Sequence, residues 1–126
     1  MVVVGASSAS AAVAPMTVTV DPAGTANPGN TATVSGTVTC PLGNTFYGYA
    51  DVRQPGRVPN ATTARGTFGD SAHPIACTGV PQPWTVTTTP ASKPFVPGPA
   101  EVTAVFSTQG PAGLNTVQKV QTVTLV

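Results

Sequence analysis

Cys40, Cys77 and Trp84 are the only cysteines and the only tryptophan in a chain of 126 residues built mostly of Val, Thr, Ala, Pro and Gly. So few anchors leave few ways to hold an interior together. The cysteines lie 37 positions apart, too far for the CxxC spacing of a redox or zinc pair. A disulfide between Cys40 and Cys77 would enclose a long loop and add about 4 kcal/mol by the loop-entropy model. It would also place the chain in an oxidising compartment. The alternative is a pair of buried free thiols.

The pattern between these anchors has a period of two. Met16–Asp21 sets Met16, Val18 and Val20 on one side, and Thr31–Cys40 sets Val34, Val38 and Cys40 inward with the threonines outward. Thr45–Arg53 divides into Phe46, Gly48, Ala50 and Val52 on one face and Tyr47, Tyr49, Asp51 and Arg53 on the other. Ala100–Thr108 separates Val102, Ala104 and Phe106 from Glu101, Thr103 and Val105. Such alternation marks half-buried strands rich in β-branched residues. Ala61–Phe68 reads as an edge strand, Ile75–Cys77 as a short strand and Trp84–Thr89 as another. Thr78–Pro83 is too rich in proline for a central strand.

Fourteen prolines and thirteen glycines punctuate the chain, with turns expected at Asp21–Gly24, Asn27–Asn30 and Pro41–Asn44. In Val117–Val126 the apolar residues change parity, with Val117, Val123 and Leu125 odd and Val120 even. A bulge near Lys119–Gln121 would reconcile them. Gly36 lies in an inward row, where a missing side chain leaves room for a large neighbour, for which Trp84 is the candidate. The expected fold is all-β: an immunoglobulin-like antiparallel β-sandwich of seven or eight strands, with the Cys40–Cys77 bridge and Trp84 in its core.

Charged residues make up 7% of the chain and the net charge is +1, against about 25% charged in an average globular protein. The five basic residues are scattered, so nothing offers the clustered positive surface that tracks nucleic-acid phosphates. The apolar start is far short of the roughly 20 residues of a membrane span. Residues 1–14, with small-residue sites at Ala9-Ser10-Ala11 and Ala12-Val13-Ala14, look like the remnant of a secretory signal peptide, with a flexible tail as the alternative. Pro15 disfavours the second cut, so cleavage is expected after Ala11. Residues 15–126 would form the one domain.

Three segments carry a resemblance. They are Ala32–Cys40, then Cys77-Thr-Gly with Gln82-Pro-Trp-Thr-Val86, then Phe95–Ala100 followed by Val102 and Ala104. Together they resemble small secreted single-domain proteins of actinobacteria with an immunoglobulin-like sandwich and no settled function. The resemblance implies fold and secretion and brings no catalytic or ligand residues with it. Trp84 follows both cysteines, whereas in antibody domains the tryptophan lies between them, so antibody-type loop function is not inherited.

Catalytic chemistry finds little to work with. The only histidine, His73, sits in Asp70-Ser71-Ala72-His73-Pro74, too compact a loop for a nucleophile, base and orienting acid to reach their geometry. The four acids, Asp21, Asp51, Asp70 and Glu101, fall on separate elements. Only Asp51 and Glu101 lie within strands, and these would be the pair for a glycosidase. A loop cation site would draw on Asp21 or Asp70. No cofactor is expected. Asn60-Ala61-Thr62 fits the glycosylation pattern, which in a chain of bacterial appearance reads as chance.

The candidate binding face is the outer row Tyr47, Tyr49, Asp51 and Arg53, because tyrosine and arginine supply rigid amphipathic contact area; the alternative is the reversed strand, with Phe46 and Val52 outward. The sequence thus points to a non-enzymatic secreted or envelope protein, monomeric or weakly self-associating, whose partner is an extracellular protein or glycan. The alternative is an assembly module of the surface-coat or phage-decoration kind, with a hydrolase using Asp51 or Glu101 as the remote third.

Overall fold

The computed structural model describes residues 15–55 and 61–126. The proposed cleavage sites and Asn60 lie outside the described residues. Among those described there is no helix, and nine strands form one mixed sheet. In order they are β1 (Thr17–Val20), β2 (Ala23–Asn27), β3 (Thr31–Thr39), β4 (Thr45–Gln54), β5 (Thr62–Phe68), β6 (Ile75–Ala76), β7 (Gln82–Thr87), β8 (Gly98–Gln109) and β9 (Asn115–Leu125).

One half of the sheet gathers β1, β2 and β7 around β3. The other runs β9–β8–β4–β5, with β6 also on β4. β2 joins the halves. Its last three residues pair antiparallel with β3, and its first two run parallel to β9 (Ala23↔Thr124, Gly24↔Leu125).

Two large aromatics, each over a glycine, make the centre of the core. Trp84 lies opposite Gly36 across β7 and β3, and Phe106 opposite Gly48 across β8 and β4. The two rings meet with centroids 5.2 Å apart, so the buried faces of the two halves pack on each other there. Phe46 extends the cluster to Phe106 and Phe68 at 6.1 and 6.0 Å. Val18, Val34, Val38, Val52, Val86 and Val102 fill the surroundings. The indole N–H of Trp84 donates to the Thr19 carbonyl at 3.1 Å, which satisfies the one polar group that so buried a side chain brings with it.

Cys40 and Cys77 are bonded, with Cα atoms 5.4 Å apart, and both are buried. The bridge ties the end of β3 to the residue after β6. Asn44, also buried, locks the start of β4 to the β8–β9 turn: its amide donates to Thr108 Oγ1 and the Gly113 carbonyl, and its side-chain oxygen accepts from the Ala112 N–H. Gln54 does the same for the segment before β8, donating to the Val96 carbonyl at 2.7 Å and accepting from the Val96 N–H at 2.9 Å.

Five expectations need correction. The described strands number nine rather than seven or eight, with Ala23–Asn27 as the addition. The sheet is mixed rather than purely antiparallel, because β2 runs parallel to β9. The polar stretch Ala23–Asn27 is a strand rather than part of two adjoining turns; it has neighbours in both halves to complete its hydrogen bonds. β7 begins at Gln82, ahead of Trp84, and carries Pro83 opposite Thr37. Its ladder is with β3 alone, and an edge strand tolerates a residue with no N–H.

Finally, β9 has no bulge. Its register against β8 runs unbroken from Thr108↔Asn115 to Gly98↔Leu125. The odd row stays inward at Val123 and Leu125, and Val120 is half exposed on the other side. Gln121 occupies the inward row as a polar residue because its amide donates to the Val20 carbonyl of β1 at 2.8 Å.

Thr62 is fully buried, and its hydroxyl finds no hydrogen-bond partner among the described residues. Such an orphan costs about 1–3 kcal/mol. Thr62→Val keeps the branched shape and deletes the orphan, so it should stabilise the fold by about 1 kcal/mol. A denaturant midpoint that falls instead would show that the hydroxyl is satisfied in solution.

Candidate functional site

β4 is central in its half of the sheet, so its outer row is flanked by side chains from both neighbours. The register places Tyr49 between Thr67 and Val105, Asp51 between Arg65 and Thr103, and Arg53 between Thr63 and Glu101. Tyr47 lies opposite Ser107. The expected outward orientation of Tyr47, Tyr49, Asp51 and Arg53 agrees with the structure, in which the alternate residues Phe46, Gly48, Ala50 and Val52 are buried.

Asp51 is clamped by Arg65. The guanidinium donates from Nε to Oδ1 at 2.6 Å and from Nη2 to Oδ2 at 3.0 Å. Its plane also covers Tyr49, with Cζ 3.8 Å from the ring centroid, a cation–π contact. The hydrogen bond to Asp51 raises the pKa of Arg65 above its usual value. Arg53, by contrast, is exposed and faces Glu101 across β4 and β8.

A shallow cleft of about 280 Å³ opens beside this clamp, lined by Tyr47, Tyr49, Thr67, Val105, Ser107 and Asp70 among others. Its polar wall comes from the loop after β5. There Asp70 Oδ1 accepts from the N–H groups of Ala72 and His73, each at 2.8 Å, and His73 Nδ1 lies 3.3 Å away. These bonds, the backbone one from His73 foremost, lower the pKa of Asp70 and favour its carboxylate form. Both side chains are largely exposed. The Asp70–Pro74 segment is therefore a carboxylate-centred turn that holds Asp70 at the cleft.

Asp51 and Glu101 come onto one outer face as diagonal neighbours across β4 and β8. Both oxygens of Asp51 are occupied by Arg65. No group of three or more His, Cys, Asp or Glu with metal-binding geometry occurs among the described residues. Nor does any described helix have the length and apolarity to cross a membrane.

The opposite outer face, on β1, β3 and β7, is built of hydroxyls paired across the strands. Thr19 meets Thr37 at 2.7 Å, Thr33 meets Thr87 at 2.9 Å and Ser35 meets Thr85 at 3.2 Å. It carries neither the aromatic rings nor the charges of the β4 face.

Arg65 is the site residue that sequence reasoning missed, and Asp70, weighed there only for a loop cation site or a catalytic loop, lines the cleft beside Tyr47. The only signal for Arg65 was an odd-numbered basic residue in a strand near an outward acid. Pairing it with Asp51 requires the β4–β5 register, which no local pattern in the chain reveals. No match to this chain is found among protein families, curated proteins or solved structures.

Proposed function

We propose that the chain is a secreted, non-enzymatic immunoglobulin-like β-sandwich that binds an extracellular protein or glycan through the β4 outer face. The two packed halves, the strand β2 shared between them, the bridge and the core tryptophan favour the sandwich reading. The disulfide favours an oxidising compartment. The observation that carries the binding role is the cleft beside Tyr47 and Tyr49, where aromatic faces meet ordered polar groups on a rigid central strand.

The test is a comparison of faces. Arrayed oligosaccharides and extracellular proteins would be probed with the native protein, with Tyr47→Ala/Tyr49→Ala, and with Thr33→Ala/Thr85→Ala on the opposite face. The tyrosine pair should lose at least about tenfold in affinity, as truncated hot spots do, while the threonine pair keeps it. Because the tyrosines are only half-buried, the melting temperature should move little. Binding that survives in the tyrosine variant would move the site off this face.

The assembly reading has one observation in its favour. β9 pairs with β2 only at Thr124 and Leu125, leaving most of one edge open, with Leu114 67% and Val120 50% exposed beside it. Against it stands Lys119, a charge in the inward-parity row of that edge, a common device against edge-to-edge pairing. Light scattering over a concentration series should give a monomer; a concentration-dependent mass would favour assembly.

A further inference from the structure

The β4 face holds one tyrosine–carboxylate pair that is filled from within the chain and one that is open. At Tyr49 and Asp51 the guanidinium of Arg65 stacks on the ring and bonds both carboxylate oxygens. Two residues along the same row, Tyr47 and Asp70 line one cleft and offer the same two chemistries. Among the described residues, Asp70 has no lysine or arginine partner. Its hydrogen bonds are all taken through Oδ1, which leaves Oδ2 without one. Ser71 and Ser107 add hydroxyls at the rim, and Val105 supplies an apolar floor for the methylenes of a long side chain.

We propose that the Tyr47–Asp70 end of the cleft receives a cationic side chain, an arginine or lysine presented by an extracellular protein. The proposal rests on the β4 face being the binding surface and narrows its partner to a basic segment. Charge complementarity argues for this occupant. Arg65 and Asp51 neutralise each other, so among the described residues Asp70 is the uncompensated charge lining the cleft, with the His73 imidazole beside it. An aromatic face next to a carboxylate attracts a cation through both the ring quadrupole and a charge-assisted hydrogen bond. Arginine suits it better than lysine, since its flat guanidinium stacks and donates at once, as Arg65 does on Tyr49.

The experiment is an amide NMR titration of the full ¹⁵N-labelled chain with three probes: acetyl-Gly-Arg-Gly-amide, its citrulline analogue, and a neutral N-acetylglucosamine trimer. Citrulline keeps the shape of arginine and lacks its charge. The arginine peptide should shift Tyr47, Gly48, Asp70, Ser71 and Val105. The citrulline peptide should bind at least about tenfold more weakly, the size of one charge-assisted hydrogen bond. Asp70→Asn should weaken arginine binding by a similar factor. Asparagine retains the oxygen that accepts from Ala72 and His73, so the turn survives and the loss reports on charge.

Equal binding of the arginine and citrulline peptides, or arginine shifts confined to residues away from the cleft, would overturn the cationic assignment. Shifts at the same residues with the trisaccharide but not with arginine would also overturn it, yet leave the β4 face as the binding surface and make the partner a glycan. Silence of the cleft towards all three probes would overturn the assignment, while the array comparison on the tyrosine variant would still decide the face itself.

Discussion

Gly36→Ala is expected to cost at least about 3 kcal/mol and to lower the melting temperature by more than about 10 °C. A methyl group at position 36 would sit 1.9 Å from the Thr19 carbonyl oxygen and 2.8 Å from Trp84 Nε1. The first contact is with the backbone of β1, and no rotamer change relieves it. β1 must peel away from β3, which also breaks the hydrogen bond from Trp84 to Thr19. This gives the prediction a second arm. If the indole were the main obstacle, Trp84→Phe would rescue Gly36→Ala. Because the carbonyl is the nearer atom, the double variant should be less stable than either single one. Thermal melts of the three variants decide the matter, and a rescued double variant would mean that β1 is free to shift.

Removing the bridge is the second large effect. Cys40→Ala/Cys77→Ala should lose about 4 kcal/mol, because the unfolded chain regains the freedom of a loop that the disulfide had closed. That loop contains β4, β5 and β6, so the unfolded state gains freedom in the very segment that builds the candidate site. For a domain of this size the loss corresponds to a fall in melting temperature of roughly 15 °C. The same shift should follow reduction of the native protein, measured by denaturation with and without a reductant. A shift of only a few degrees would mean that packing around Trp84 and Phe106 carries the fold without the cross-link. The Cα separation of 5.4 Å and the burial of both cysteines place the bond inside the core, where reduction in the folded state should be slow.

The two predictions differ in how far the sequence anticipates them. The pairing of Gly36 with Trp84 is legible because an inward glycine needs a large partner to fill the space. What makes the position intolerant is the Thr19 carbonyl turned over it, and no sequence pattern shows a backbone carbonyl crossing another strand. The tyrosine row was legible for a local reason: in a strand, successive side chains alternate between faces, so burying Phe46, Ala50 and Val52 sends Tyr47, Tyr49 and Asp51 outward. The clamp on Asp51 was not. It depends on β5 lying beside β4 in a register that pairs residue 51 with residue 65, and no local pattern in the chain sets that register.

Chemistry local to the chain is enough for the all-β class, the inward rows of β3, β4 and β8, the edge position of β5 and the two residues available for a bridge. Each of these follows from near-neighbour chemistry: side chains alternate along a strand, glycine and proline interrupt it, and two cysteines have only each other. Tertiary structure alone decided that Ala23–Asn27 is a strand, that Pro83 belongs to β7, and that β9 stays in register past a polar Gln121. It also decided that Tyr47 and Asp70 share one cleft. In each of these cases a segment with weak preference of its own was settled by partners distant in the chain, which supply its hydrogen bonds or bring its side chains together.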